Sequence, residues 1–321
     1  MKPFSEIRVV FRAAAGPRRG FGHMVRCLSL ARAMGVRPLM SVRGGAAIRE
    51  TALALGADVL LGNGTRVLAG VDPDVVVIDD PIASDARRWM KAARRVGALV
   101  VTVHDLGIGA RGADLVIDGS VTRQVARKSG RRALIGSQFA VLDPRIASTR
   151  RQPEISSRVL IALGGGPHAT LAEAVASAIV ASDPYTEVRI AGGFLARPRA
   201  VHPRIKWIRP RGLAPELAQA KVAIVGGGVS LYEAAALGVP TIGVPVVKGQ
   251  VPTVLAFARR GAALGVPFAA PAQTAATKAL ALLNDREQQD ELSRRSRALV
   301  DGRGAWRAAA AVIALAREPR G

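Results

Sequence analysis

The chain has 321 residues, 49% of them hydrophobic, with 46 Lys and Arg against 24 Asp and Glu for a formal net charge of +22. This length and apolar share allow two ordinary domains with sizeable cores and exclude a disordered chain. The single cysteine, Cys27, excludes an internal disulfide and a cysteine-built zinc site, and no cluster has metal-ligand spacing, so no metal is expected.

No apolar run reaches transmembrane length, and "MKPFSEIRVV" lacks the pattern of a secretory leader, so a cytoplasmic protein is expected. The positive charge favours anionic small ligands and weak attraction to an anionic membrane surface. Its arginines are scattered through helices and loops, and aromatics make up only 4%, so no specific nucleic-acid binding is expected.

In chain order, "EIRVVFRAAAG" predicts a buried strand with Ile7, Val9, Val10 and Phe11 inside. A Gly/Pro/Arg loop follows, and then a helix in which Met24, Cys27, Leu28, Ala31 and Met34 share one face while Arg26 and Arg32 fall elsewhere. His23 stands at the helix start. Free N–H groups and the helix dipole favour an anion there, and Gly20 and Gly22, flanking Phe21, permit close approach of a ligand. A histidine at that spot either faces a bound phosphate or sugar, or serves as an ordinary capping or surface residue.

The apolar runs "RPLMSV", "ADVLLG", "DVVVIDD", "GALVVTVHD" and "ADLVIDG" alternate with helical patterns, which predicts a parallel sheet. The scheme repeats in "RVLIALGG", "EVRIAGG", "IKWIRP", "KVAIVGGG" and "PTIGVPV", and the tail from Thr274 to Glu318 is helical in pattern. The predicted organisation is an N-terminal domain over residues 1–146, a polar linker over 147–157, and a C-terminal domain with its terminal helices over 158–321. Ligands in such folds bind outside the carboxyl ends of the strands. Asp79, Asp80, His104 and Asp105 fall at predicted strand ends, as sugar contacts or as helix caps.

Glycine turns follow three predicted strands: "GFGH", "GGGP" with Gly164 and Gly165, and "GGGVSLYEAAALGVP" from Gly226. The last places Gly227, Gly228 and Val229 before Ser230 at an expected N-cap, with Glu233 one turn on. A diphosphate would suit the free N–H groups while Glu233 accepts from ribose hydroxyls. Spacing alone equally allows Glu233 to complete a capping box with Ser230.

The segments "FRAAAGPRRGFGHMVRCLSLA", "RRALIGSQFAVLDPRI", "RVLIALGGGP" and "AKVAIVGGGVSLYEAAALGVPTIGVPV" resemble the PseG/SpsG family of UDP-sugar hydrolases, relatives of the MurG-type glycosyltransferases. The resemblance implies an α/β protein of GT-B fold, with two Rossmann-like domains whose parallel sheets face a central cleft. It implies release of UDP from an activated deoxy-amino sugar, a step toward pseudaminic acid. UDP is then part of the substrate and no separate cofactor is needed. By the resemblance His23 is the base that activates water. Gly228, Ser230 and Glu233 match the loop and helix that hold UDP, and Gly20 and Gly22 match glycines lining the cleft opposite. Read with their neighbours in the same turns and strand ends, Gly227, Val229, Gly164 and Gly165 join the expected UDP-binding set, and Phe21, Asp80, His104, Asp105 and Gln250 the expected sugar side.

The chain departs from the family pattern at Ala14, where an acidic residue is usual, at Pro81 in place of a tyrosine, and at Gly249 in place of an asparagine. The acid of the family's "GGSD" turn is also missing from "GGGP". Nonpolar groups cannot orient a sugar hydroxyl or a water. The nucleotide half of the site is therefore expected to be kept and the sugar half altered. Hydrolysis is the first expectation; transfer to an acceptor by the same fold, and nucleotide-sugar binding without turnover, are the alternatives.

Overall fold

A computed structural model describes residues 7–318 except 17–19, 62–63, 105–111, 123–129, 153–156, 165–166, 194–201 and 210–211. The chain forms two compact units, Met1–Pro144 with Arg303–Gly321, and Arg145–Gly302.

In the first unit seven parallel strands lie in the order β3-β2-β1-β4-β5-β6-β7. They are β1 (Val9–Ala14), β2 (Leu39–Arg43), β3 (Asp58–Val59), β4 (Val75–Asp79), β5 (Leu99–His104), β6 (Ala113–Asp118) and β7 (Gly130–Ile135). Alternation along each strand builds two cores. Phe11, Val77, Val101 and Leu115 pack with α1 (Gly22–Met34), α2 (Ala46–Ala54) and α11 (Gly304–Arg317), and Val10, Val76, Ile78, Val100 and Val116 with α3 (Val67–Val71) and α4 (Ala83–Arg95). Strand order reverses between β1 and β4, which makes their carboxyl ends the topological switch point.

Two expectations change here. β7 escapes sequence detection because "GRRALI" carries two arginines, and an edge strand does not need the continuous apolar run of a central one. The terminal helix, assigned from sequence to 158–321, returns to the first unit: Ala305, Ala308, Val312 and Leu315 share the core of Leu28 and Ala31 on α1. Helical periodicity shows that a face is apolar but not which sheet it covers.

The second unit has six parallel strands in the order β10-β9-β8-β11-β12-β13. They are β8 (Val159–Ala162), β9 (Val188–Ala191), β10 (Ile205–Ile208), β11 (Val222–Gly226), β12 (Thr241–Val244) and β13 (Leu264–Gly265). The helices are α5 (Ala169–Ser182), α6 (Ala214–Gln219), α7 (Val229–Leu237), α8 (Val251–Arg259), α9 (Ala272–Asn284) and α10 (Arg286–Leu299). Val159, Ile161, Ile224 and Ile242 pack against Val175 and Ile179 of α5 and Ala276 and Leu282 of α9. The switch point lies between β8 and β11.

The stretch read as a linker is tied to this unit by Arg151. Its guanidinium donates to the carbonyls of Gly238 at 3.0 Å, Lys221 at 3.1 Å and Ala220 at 3.3 Å. Burial, reinforced by Arg297 and Arg286 and opposed by Asp290, brings its pKa down to about 10.

Candidate functional site

After β1 the chain closes a short loop in which Gly16 and Gly20 exchange two backbone hydrogen bonds of 3.0 and 2.8 Å. Gly20 has φ +72°, a left-handed conformation that side chains rarely adopt, so the turn into α1 favours glycine there. Phe21 is buried in the core and anchors the turn, and Gly22 and His23 are the first two residues of α1. That helix has no side-chain N-cap and no acid in its first turn, and the N–H groups of His23 and Met24 have no partner among the described residues. Its N-terminus is electropositive.

β4 ends across the switch point at Asp79, in register with Ala13 of β1. Nδ1 of His23 lies 2.7 Å from Asp79 Oδ1. One turn further along α1, Arg26 clamps the same carboxylate, Nε to Oδ2 at 2.8 Å and Nη2 to Oδ1 at 2.8 Å, and its Nη2 lies 2.8 Å from His23 Nδ1. Asp79 is 1% exposed and Arg26 is 7% exposed, whereas the His23 side chain keeps 17% of its surface open.

Burial by itself raises the carboxyl pKa of Asp79, but Arg26 and His23 outweigh it and hold the group well below the usual carboxylate range. An ionised carboxylate only accepts, so a hydrogen bond at this contact needs a proton on His23 Nδ1. Beneath them burial, and then the Asp79 charge, push the Cys27 thiol well up, against Arg26, which lowers it.

The sequence reading places Arg26 away from the buried face and leaves its link to His23 unread. The available signal was spacing: residues three apart share a helix face, so His23 and Arg26 both turn toward β4.

Asp80, the first residue after β4, meets a different set of partners. Its carboxylate accepts from Arg43 Nη2 at 2.7 Å and the Ile82 N–H at 3.0 Å, with Arg12 Nε 3.6 Å away. Arg12 also donates to Ser41 Oγ at 3.1 Å and Asp85 Oδ2 at 3.0 Å, and its guanidinium carbon stands 4.9 Å from the centre of the Trp89 ring. Arg43 joins Asp85 as well. Asp80 is therefore an internal member of a buried charge network. His104 ends β5 in register with Asp118, and Asp105 lies outside the described residues.

In the second unit α7 begins at Val229 with Gly228 as its N-cap and no side-chain cap bond. Ser230 is the second helical residue, two positions past the N-cap, so it does not cap the helix and the capping box does not form. The N–H groups of Val229 and Ser230 have no partner among the described residues, which leaves donors for an anion. Glu233 is buried one turn further along.

Gly227 marks a close approach: a Cβ there would lie 2.7 Å from Val254 Cγ2 and 2.9 Å from Gln250 Cβ. Its N–H donates to Gln250 Oε1 at 3.1 Å, and the same oxygen accepts from Val246 N at 3.0 Å. Gln250, expected on the sugar side, thus uses its amide oxygen to tie the β11–α7 turn to the segment after β12. Gly164 is exposed just after β8, across the switch point, and Gly165 lies outside the described residues. Among the described residues no group of three or more His, Cys, Asp or Glu is arranged for a metal, and no helix is long and apolar enough to cross a membrane.

No family model matches the chain. It is 26% identical over 326 residues to the spore coat polysaccharide biosynthesis protein SpsG of Bacillus subtilis (strain 168), covering 93% of this chain and 95% of SpsG. The calicheamicin glycosyltransferase CalG4 superposes with a TM-score of 0.67 at 16% identity, over 98% of this chain and all (100%) of CalG4. The UDP-GlcNAc 2-epimerase of Neisseria meningitidis bound to UDP-GlcNAc gives a TM-score of 0.62 at 11% identity, over 96% and 100%. With two Rossmann-like parallel-sheet units along one chain and this likeness over nearly its whole length, the protein has the GT-B fold of the glycosyltransferases.

Proposed function

We propose that the protein is a glycosyltransferase-type enzyme that uses a UDP-sugar, with His23 as general base and the α7 turn as the diphosphate-binding element. The observation that carries this reading is the His23–Asp79 pair at the β1/β4 switch point, 2.7 Å apart. A carboxylate that orients Nδ1–H leaves Nε2 to accept a proton, as general-base catalysis requires. An acceptor hydroxyl loses its proton to Nε2 while its oxygen bonds to the anomeric carbon. The bond from that carbon to the β-phosphate oxygen breaks, and UDP leaves with the electron pair. The N–H groups of Val229 and Ser230 at the start of α7, with the dipole behind them, stabilise the charge on the diphosphate.

The likeness to SpsG, named for polysaccharide biosynthesis, and to CalG4, named as a glycosyltransferase, supports transfer, and the epimerase bound to UDP-GlcNAc supports a UDP-sugar as ligand. The resemblance of "RRGFGHMVRCLSLA" to the PseG/SpsG hydrolases favours a second reading in which water replaces the acceptor at the same base.

The test is a panel of UDP-sugars incubated with wild type and His23→Ala, with and without glycan acceptors, measuring UDP and the fate of the sugar. Acceptor-dependent UDP release, lost in His23→Ala with UDP affinity unchanged, supports transfer. Free sugar without acceptor moves the assignment to hydrolysis. Turnover undiminished in His23→Ala overturns both readings.

A further inference from the structure

We infer that Arg26 is a positioning residue of the site: it locks the Asp79 carboxylate so that His23 is held in the tautomer with its lone pair on Nε2. The inference rests on the proposed role of His23 and adds the group on which that role depends.

The argument is geometric. Asp79 is 1% exposed and sits at the end of a strand whose preceding residues Val75, Val76, Val77 and Ile78 are all apolar and buried. A carboxylate in such a place is retained only with a matched counter-charge. Arg26 supplies it through two parallel bonds of 2.8 Å, the bidentate geometry that fixes both the plane and the rotation of a carboxylate. Oδ1 then has one direction left, and His23 Nδ1 occupies it at 2.7 Å.

Arg26 Nη2 and His23 Nδ1 are also 2.8 Å apart, so two arrangements compete. In one, Nη2–H donates to a bare Nδ1, which leaves that lone pair facing the carboxylate oxygen. In the other, both nitrogens donate to Oδ1. The second has two charge-assisted bonds and no facing lone pairs, so it wins.

Arg26 therefore acts on the reaction through Asp79 and His23. Three residues on α1 and the neighbouring β4 form one unit, in which His23 keeps the most open surface, 17% of its side chain against 8% for Arg26 and 2% for Asp79. A lysine at this position keeps the charge but lacks the planar fork, so it neutralises Asp79 without fixing its plane.

The test begins with the unmodified protein. Nitrogen-15 NMR of imidazole-labelled protein, with His23 assigned by comparison with His23→Ala, reads which ring nitrogen is protonated. A protonated Nδ1 and bare Nε2 in wild type, replaced by a mixture of tautomers in Arg26→Met and only partly restored in Arg26→Lys, is the expected result. A bare Nδ1 in wild type, or an unchanged pure tautomer in Arg26→Met, overturns the inference. Because no substrate enters this measurement, it stands or falls separately from the proposed activity.

With a turned-over UDP-sugar in hand, Arg26→Met should lower kcat on the order of 100-fold, the low end of what a positioned general base contributes, with KM nearly unchanged. In an Asp79→Asn background the same change should cost little more, because the two residues act as one unit. A rise in KM with kcat intact, or full additivity, overturns the positioning role. Should Arg26→Met fail to fold, Arg26→Gln and the wild-type spectrum keep the question answerable.

Discussion

His23 and Asp79 are 56 positions apart in the chain and 2.7 Å apart in space, joining the start of α1 to the end of β4. Asp79→Asn removes the charge but keeps the shape, and its amide N–H₂ can face Nδ1 and select the other tautomer. The expected outcome is a fall in kcat of roughly 10³–10⁴-fold, as when an orienting carboxylate is lost from a catalytic triad, with UDP affinity unchanged. Steady-state kinetics and UDP titration calorimetry check it.

The same carboxylate links stability to pH. Its folded pKa lies below the unfolded value, so its stabilising contribution is fully present above the ordinary carboxylate range and is lost as the pH falls through and below that range. Urea midpoints of wild type and Asp79→Asn should differ most near neutrality and converge in acid. A gap that stays constant down to strongly acidic pH would show that the charge of Asp79 contributes nothing.

Gly227→Ala puts a methyl into space held by Val254 and Gln250, whose nearest atoms lie 2.7 and 2.9 Å from the new Cβ. Relieving that contact displaces the amide oxygen shared by Gly227 and Val246. Overpacking of this kind costs about 1–3 kcal/mol, and UDP affinity should fall with it. Calorimetry and chemical denaturation measure the two effects independently.

Arg151→Met strips three backbone carbonyls, those of Gly238, Ala220 and Lys221, of a buried donor. Leaving acceptors unsatisfied costs about 1–3 kcal/mol apiece before water and local relaxation recover part of it. We expect a loss of roughly 3 kcal/mol in denaturant unfolding; a change within about 0.5 kcal/mol, typical of a neutral surface substitution, would refute the clamp.

Cys27 is 1% exposed and its thiol is held protonated by burial and by the Asp79 charge. Native protein should therefore resist a thiolate-directed reagent at neutral pH and react with it fully once unfolded. Rapid labelling of native protein, read by mass spectrometry, would contradict this packing.

The sequence by itself determined the α/β class, the strands at the centre of both sheets and the glycine turns that lead into α1 and α7. Buried parallel strands are written as continuous apolar runs, and strand-to-helix turns as glycine, so local pattern suffices for them. It also singled out His23, because a histidine at a helix start is visible in one short stretch. Tertiary structure alone decided the partners. Asp79 and Asp80 are adjacent and chemically identical, yet one orients His23 and the other is sealed among Arg12, Arg43 and the Ile82 N–H. Asp79 is the last residue of β4 and Asp80 the first beyond it, so where the strand stops decides which partners each meets. Likewise the return of α11 to the first unit and the anchoring of Arg151 rest on contacts between distant segments, and periodicity records only that a face is buried, never against what.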